Sequence, residues 1–127
     1  MPLQLCLIAQ AATQATRNAA FPADDALLDA VGAAAAVPPG LRRWAEAEVR
    51  ISPMLAARQT AALLGLAGTC NSDLADLCPG RWAGRKIADV AVAEPSALTA
   101  WMTDPDFTGH GGESRRARRR QACAQPC

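Results

Sequence analysis

Leu3, Leu5 and Leu7 alternate with Gln4 and Cys6 at the start of the chain, and Ile8 follows. This period of two, without a charge, predicts a short buried strand over residues 2–8, with the leucines on one face. Ala9 to Arg17 is small and polar and reads as a loop running into a helix. Asp24, Asp25 and Asp29 precede the Ala33–Ala36 run, which places carboxylates at the positive end of a helix dipole. Pro38, Pro39 and Gly40 stop that helix. Leu41 to Ala47 predicts a short helix carrying Trp44, and Val49 to Ser52, closed by Pro53, a second strand. In Met54 to Leu66, Leu55, Leu63 and Leu66 bracket an alanine-rich middle, as in a helix. Residues 71–84 are irregular. Arg85–Ala93 and Ser96–Met102 predict two more helices divided by Pro95, and 104–112 a loop. Strand, loop, helix, strand, helix is the order of an α/β layered sheet. Functional loops in such folds follow the strands, here at 9–13 and 52–56.

With 127 residues the chain is long enough for one domain. Half of it is apolar, but about 30 of those residues are alanine and only 4% of the chain is aromatic. The core is therefore thin. No apolar run reaches the roughly 18–20 residues of a membrane span, and no basic segment leads into a long apolar one at the start. A cytoplasmic protein that does not engage membranes is expected. The net charge of +1 conceals an asymmetry: residues 1–114 carry 8 basic against 12 acidic side chains, net −4, while five arginines fall between Arg115 and Arg120. The acidic body does not predict a nucleic-acid surface. Cys6, Cys70, Cys78, Cys123 and Cys127 form an odd set without a C-x-x-C pair, so reduced thiols are expected. With a single histidine they make no zinc pattern, and neither metal nor cofactor is expected.

The two loops carry a family resemblance. Leu7-Ile8-Ala9-Gln10-Ala11-Ala12-Thr13 resembles Leu-Ile-Arg-His-Gly-Glu-Thr, the first-strand signature of the histidine phosphatase, or phosphoglycerate-mutase-like, superfamily. Leu28-Asp29-Ala30-Val31-Gly32 resembles the family's Leu-Asp/Ser/Thr-x-x-Gly. Ser52-Pro53-Met54-Leu55-Ala56-Ala57-Arg58-Gln59-Thr60-Ala61 is similar to Ser-Pro-Leu-x-Arg-Ala-x-Gln-Thr-Ala, the most specific match. Leu74-Ala75-Asp76 with Gly80-Arg81-Trp82-Ala83-Gly84 looks like Leu-x-Glu…Gly-x-Trp-Glu-Gly. Pro95, Leu98, Trp101, Asp104-Pro105 and Gly111-Gly112-Glu113-Ser114 follow in order. The resemblance implies the family's three-layer αβα sheet, incomplete here, over residues 1–114. It also implies kinship with small bacterial phosphatases of the α-ribazole-phosphate and broad-specificity kind.

It further implies a chemistry. In the family a neutral histidine attacks phosphorus, two arginines and a second histidine hold the phosphoryl oxygens, and a carboxylic acid protonates the leaving oxygen. In this chain the nucleophile's position holds Gln10, whose amide nitrogen is delocalised into its carbonyl. The two clamp positions hold Ala9 and Ala56, which have no donor. Arg58, two residues beyond Ala56, points roughly 200° away on a helix and reads as a surface arginine. The acid's position holds Asp76, one methylene shorter than glutamate. The strand that bears the second histidine in relatives has no match before the chain ends. His110 fits neither histidine position and reads as a solvated loop residue. Thr13, Ser52 and Gly80-x-Trp82-x-Gly84 read as framework.

The expectation is a degenerate, truncated family member that has lost phosphatase activity. The alternative is a non-catalytic binding module for a phosphorylated metabolite or a protein partner. Residues 115–127 do not continue the family pattern. A disordered basic tail, a shifted reading frame and a basic binding arm all remain open for them. In the resembled fold the second-histidine strand lies between residues 2–8 and 49–52. Both strands are then left with an open edge, and self-association through them is expected.

Overall fold

The computed structural model describes residues 2–34 and 40–123. Pro38, Pro39 and Cys127, named above in a helix stop and in the set of cysteines, lie outside the described residues. Elements run in the order α1 (Gln14–Arg17), α2 (Ala30–Ala34), a 3-10 turn at Leu41–Trp44, β1 (Arg50–Ile51), α3 (Leu55–Leu63) and β2 (Thr69–Cys70). Two further 3-10 turns at Ser72–Leu74 and Gly80–Trp82 follow, then α4 (Ile87–Ala93), α5 (Pro95–Thr103) and α6 (Arg115–Cys123). β1 and β2 pair in parallel, Arg50 opposite Thr69 and Ile51 opposite Cys70. Parallel strands joined by a helix are the unit expected of an α/β fold.

Residues 2–8 correct the first expectation. They form no strand, and Leu3, Leu5 and Leu7 are 85%, 76% and 86% exposed. Alternation prepares a segment for a sheet, but the ladder bonds come from a neighbouring strand, and no described residue bonds to the backbone of residues 2–10. β2 was not anticipated, because two residues are too short a run to show a period.

The core lies around Trp82, which is fully buried with Val90 and His110. Phe21, Leu98, Trp101 and Phe107 complete it. The Trp82 ring meets Phe21 at 5.3 Å, stacks on Phe107 at 6.2 Å and meets His110 edge-on at 5.0 Å. Few aromatics are present, and most of them are gathered here. α4 and α5 supply Val90 and Leu98 and meet at Pro95, which occupies the first turn of α5, where a missing N–H costs nothing. Phe21 is held to the Trp82 loop through backbone bonds, its N–H to Arg85 C=O and its C=O from Gly84 N–H, both 2.9 Å.

His110 is a correction too. It is not solvated: its ring is packed between Trp82 and Phe107, and Nδ1 accepts the Gly112 N–H at 3.0 Å. The Gly80 and Gly112 backbones touch here. A β-carbon on Gly80 would overlap the His110 carbonyl, and one on Gly112 would overlap that of Cys78. Both motif glycines are thus required by close approach of two loops, and Gly80 also by its φ of 56°.

Residues 115–123, for which a disordered tail was one of three open readings, are helical. Ser114 starts α6 by accepting the Ala117 N–H at 3.1 Å. Arg116 pairs with Asp106 at 2.8 Å, and Arg115 lies over Trp101 while donating to Met102 C=O at 3.0 Å. Alanine, arginine and glutamine are good helix formers, and polar anchors replace the absent apolar stripe. Among the described residues no helix is long and apolar enough to cross a membrane.

His110 and Glu94 are among the groups that give the fold a pH dependence. Burial, then the nearby Arg81 guanidinium, push His110 below its ordinary 6.5. The unfolded chain therefore takes up this proton first, and stability is lost as pH falls through 6.5. Glu94 is held at about 2 by Arg81 first, with Trp82 and Arg85 adding to it. Its contribution is present above 4.5 and lost as pH falls toward 2. Urea unfolding followed by tryptophan fluorescence is expected to show decreasing midpoints at pH 7.5, 5.5 and 3.5. A flat profile would contradict the buried histidine.

Candidate active site

Gln10, Ala56 and Asp76 come from three separate parts of the chain and line one cavity of about 180 Å³, together with Thr13, Thr16 and Met54. Ala9 does not reach it and lines a neighbouring groove instead, with Gln10 and Asp76.

α3 organises this site. Ala56, Thr60 and Ala61 form its buried face. The Thr60 hydroxyl donates to Ala56 C=O at 2.7 Å and accepts the Ala11 N–H at 3.0 Å, which ties the 9–13 loop to the helix. Arg58, 100° per residue further round, is exposed as expected and lines neither opening. Ser52 accepts the Met54 N–H at 3.3 Å before the first turn. Gln59 reaches the other way and accepts the Leu28 N–H at 3.0 Å.

The 9–13 loop is fixed at its far end as well. Thr13, 3% exposed, caps α1: its hydroxyl accepts the Thr16 N–H at 3.3 Å, and the Thr16 hydroxyl accepts the Thr13 N–H at 3.5 Å. Asp29 N–H donates to Ala12 C=O at 3.0 Å, and Gly32 sits so close to Ala12 that a β-carbon would overlap its backbone. The Leu28–Gly32 motif therefore acts as a backrest for the loop. Thr13, Gly32, Ser52, Gln59 and Thr60 keep the loop and helix in place.

The charge of the cavity is negative. Asp76 is the one ionisable side chain among its lining residues, and no histidine, arginine or lysine lines it. The partial positive charge at the start of α3, about half a unit, opposes it. His110 belongs to the aromatic core and does not line the cavity. Among the described residues, no three histidine, cysteine or acidic side chains converge as metal ligands.

A family model described as the histidine phosphatase superfamily (branch 1) matches residues 10–124. No curated protein matches the chain. Among solved structures, a mycobacterial hydrolase superposes with a TM-score of 0.75 at 24% identity, covering 91% of this chain and 59% of its own. A mycobacterial glucosyl-3-phosphoglycerate phosphatase gives 0.73 at 25% identity, covering 89% and 60%. A putative alpha-ribazole-5'-P phosphatase from Escherichia coli K-12 gives 0.72 at 22% identity, covering 88% and 59%. The chain thus spans about three fifths of the length of these proteins.

Proposed function

We propose that this chain, which belongs to the histidine phosphatase superfamily, is a member without phosphoryl-transfer activity. One observation carries this reading: Gln10, Ala56 and Asp76 share a cavity that, among the described residues, no imidazole, guanidinium or ammonium lines.

Each missing group removes a different part of the chemistry. Phosphoryl transfer to the protein needs a nitrogen lone pair, and the Gln10 amide has none to give. The transferring group spreads charge over its equatorial oxygens, and catalysis of this reaction is mostly positioning and electrostatic stabilisation of that charge. Ala9 and Ala56 supply neither. Asp76 keeps a carboxyl at the acid's position, but no cation among the described residues lines the cavity beside it to draw in a phosphate. The same wall weighs against the alternative, a phosphate-binding module, since binding a dianion without turnover needs the same cations.

Purified chain is expected to hydrolyse p-nitrophenyl phosphate no faster than buffer. Turnover above the blank that disappears in Asp76→Ala would overturn the reading, because it would show a working acid in a site that still positions substrate.

A further inference from the structure

Beside the cavity lies a larger groove of about 570 Å³. Leu5, Leu7, Ile8, Val49 and Ile51 are all among the residues that line it. Both segments carry backbone groups without a partner among the described residues. Among the described residues, none makes a backbone hydrogen bond to residues 2–10. In β1 the Val49 and Ile51 carbonyls accept from Thr69 and Asn71 at 3.1 and 2.8 Å, on the β2 side. Backbone groups alternate in direction along a strand, so Arg50 N–H and C=O point away from β2.

We propose that this groove is filled by residues 3–8 of a second copy of the chain, in a reciprocal exchange that closes the groove of both copies. Three observations single out this occupant. The segment is uncharged, and so is most of the groove: Glu48 and Arg50 neutralise each other at 3.0 Å, which leaves Asp76 as the one unpaired charge there. An acidic partner would be repelled by it, whereas an apolar strand is not. Leu3, Leu5 and Leu7 are each more than three-quarters exposed, so the segment that would enter the groove is itself in need of cover. Finally, the exchange is geometrically closed. Across a two-fold axis the strands run β2, β1, then the second copy's 3–8, this copy's 3–8, the second copy's β1 and its β2. Every open edge named above acquires a neighbour, and the two central segments pair antiparallel, as an isologous interface requires. Two inserted strands of this length bury on the order of 1,500 Å², within the roughly 1,200–2,000 Å² of stable interfaces.

Size-exclusion chromatography with light scattering is expected to give twice the 13.2 kDa chain mass. Leu5→Lys and Leu5→Pro, at a side chain exposed in the isolated chain, are expected to shift the species to the monomer with an unchanged far-UV spectrum. In the wild type, amide hydrogen exchange at residues 3–8 and Arg50 is expected to be slowed at least tenfold relative to the monomeric variants. A wild-type monomer at about 100 µM, a dimer that survives both substitutions, open-ended oligomers, or unprotected amides at 3–8 would each overturn the exchange. If either variant unfolds, the wild-type exchange pattern alone decides.

Discussion

Gln10→His is expected to remain inactive towards p-nitrophenyl phosphate and to accumulate no phosphohistidine. The substitution restores the attacking atom and nothing else. Catalytic groups that act as a unit are strongly non-additive, and loss of such a unit costs on the order of 10⁶ in rate, little of which returns with one member. In this cavity a new imidazole would face Asp76 and an alanine-lined wall, with no cation to draw a phosphate dianion into line. Rapid-quench labelling of the variant with a phosphorylated donor measures the first half-reaction directly. A stable phosphoenzyme would mean that the backbone amides of the 9–13 loop and the start of α3 hold phosphate by themselves.

Trp82→Ala is expected to abolish cooperative folding. Removing a buried tryptophan costs about 3–5 kcal/mol, against a total domain stability of roughly 5–15 kcal/mol. Here the ring is the hub of the aromatic cluster, and Phe21, Trp101, Phe107 and His110 all lose their contact with it. The alanine-rich remainder offers little to close over the cavity. Urea unfolding checks this. A cooperative transition within about 1 kcal/mol of the wild type would show that the core lies elsewhere, because surface substitutions are the ones that stay in that range.

How much of this was legible in the sequence depends on where each residue's partners lie. α3 was readable because its pattern is local, but its buried face of Ala56, Thr60 and Ala61 was not singled out. The meeting of Gln10, Ala56 and Asp76 was readable only through the motifs, since nothing local brings three distant segments together. Residues 2–8 were misread as a buried strand because alternation does not state whether a neighbour exists. His110 was misread because its burial is made by Trp82 and Phe107, one of them 28 positions away. The role of Thr60 was missed, although a threonine on the inner face of a helix next to a tight loop is a signal that its hydroxyl is in use. α6 was missed because amphipathicity was sought where ion pairs and a serine cap do the anchoring.

Calorimetric titration of inorganic phosphate into the purified chain at pH 7.5 tests most directly whether the cavity has kept a phosphate site. With Asp76 as its one charge and no cation in the wall, the account predicts no saturable binding tighter than about 1 mM, corresponding to roughly 4 kcal/mol. Saturable binding well below that concentration, abolished by Thr13→Val or Gln10→Ala, would contradict it.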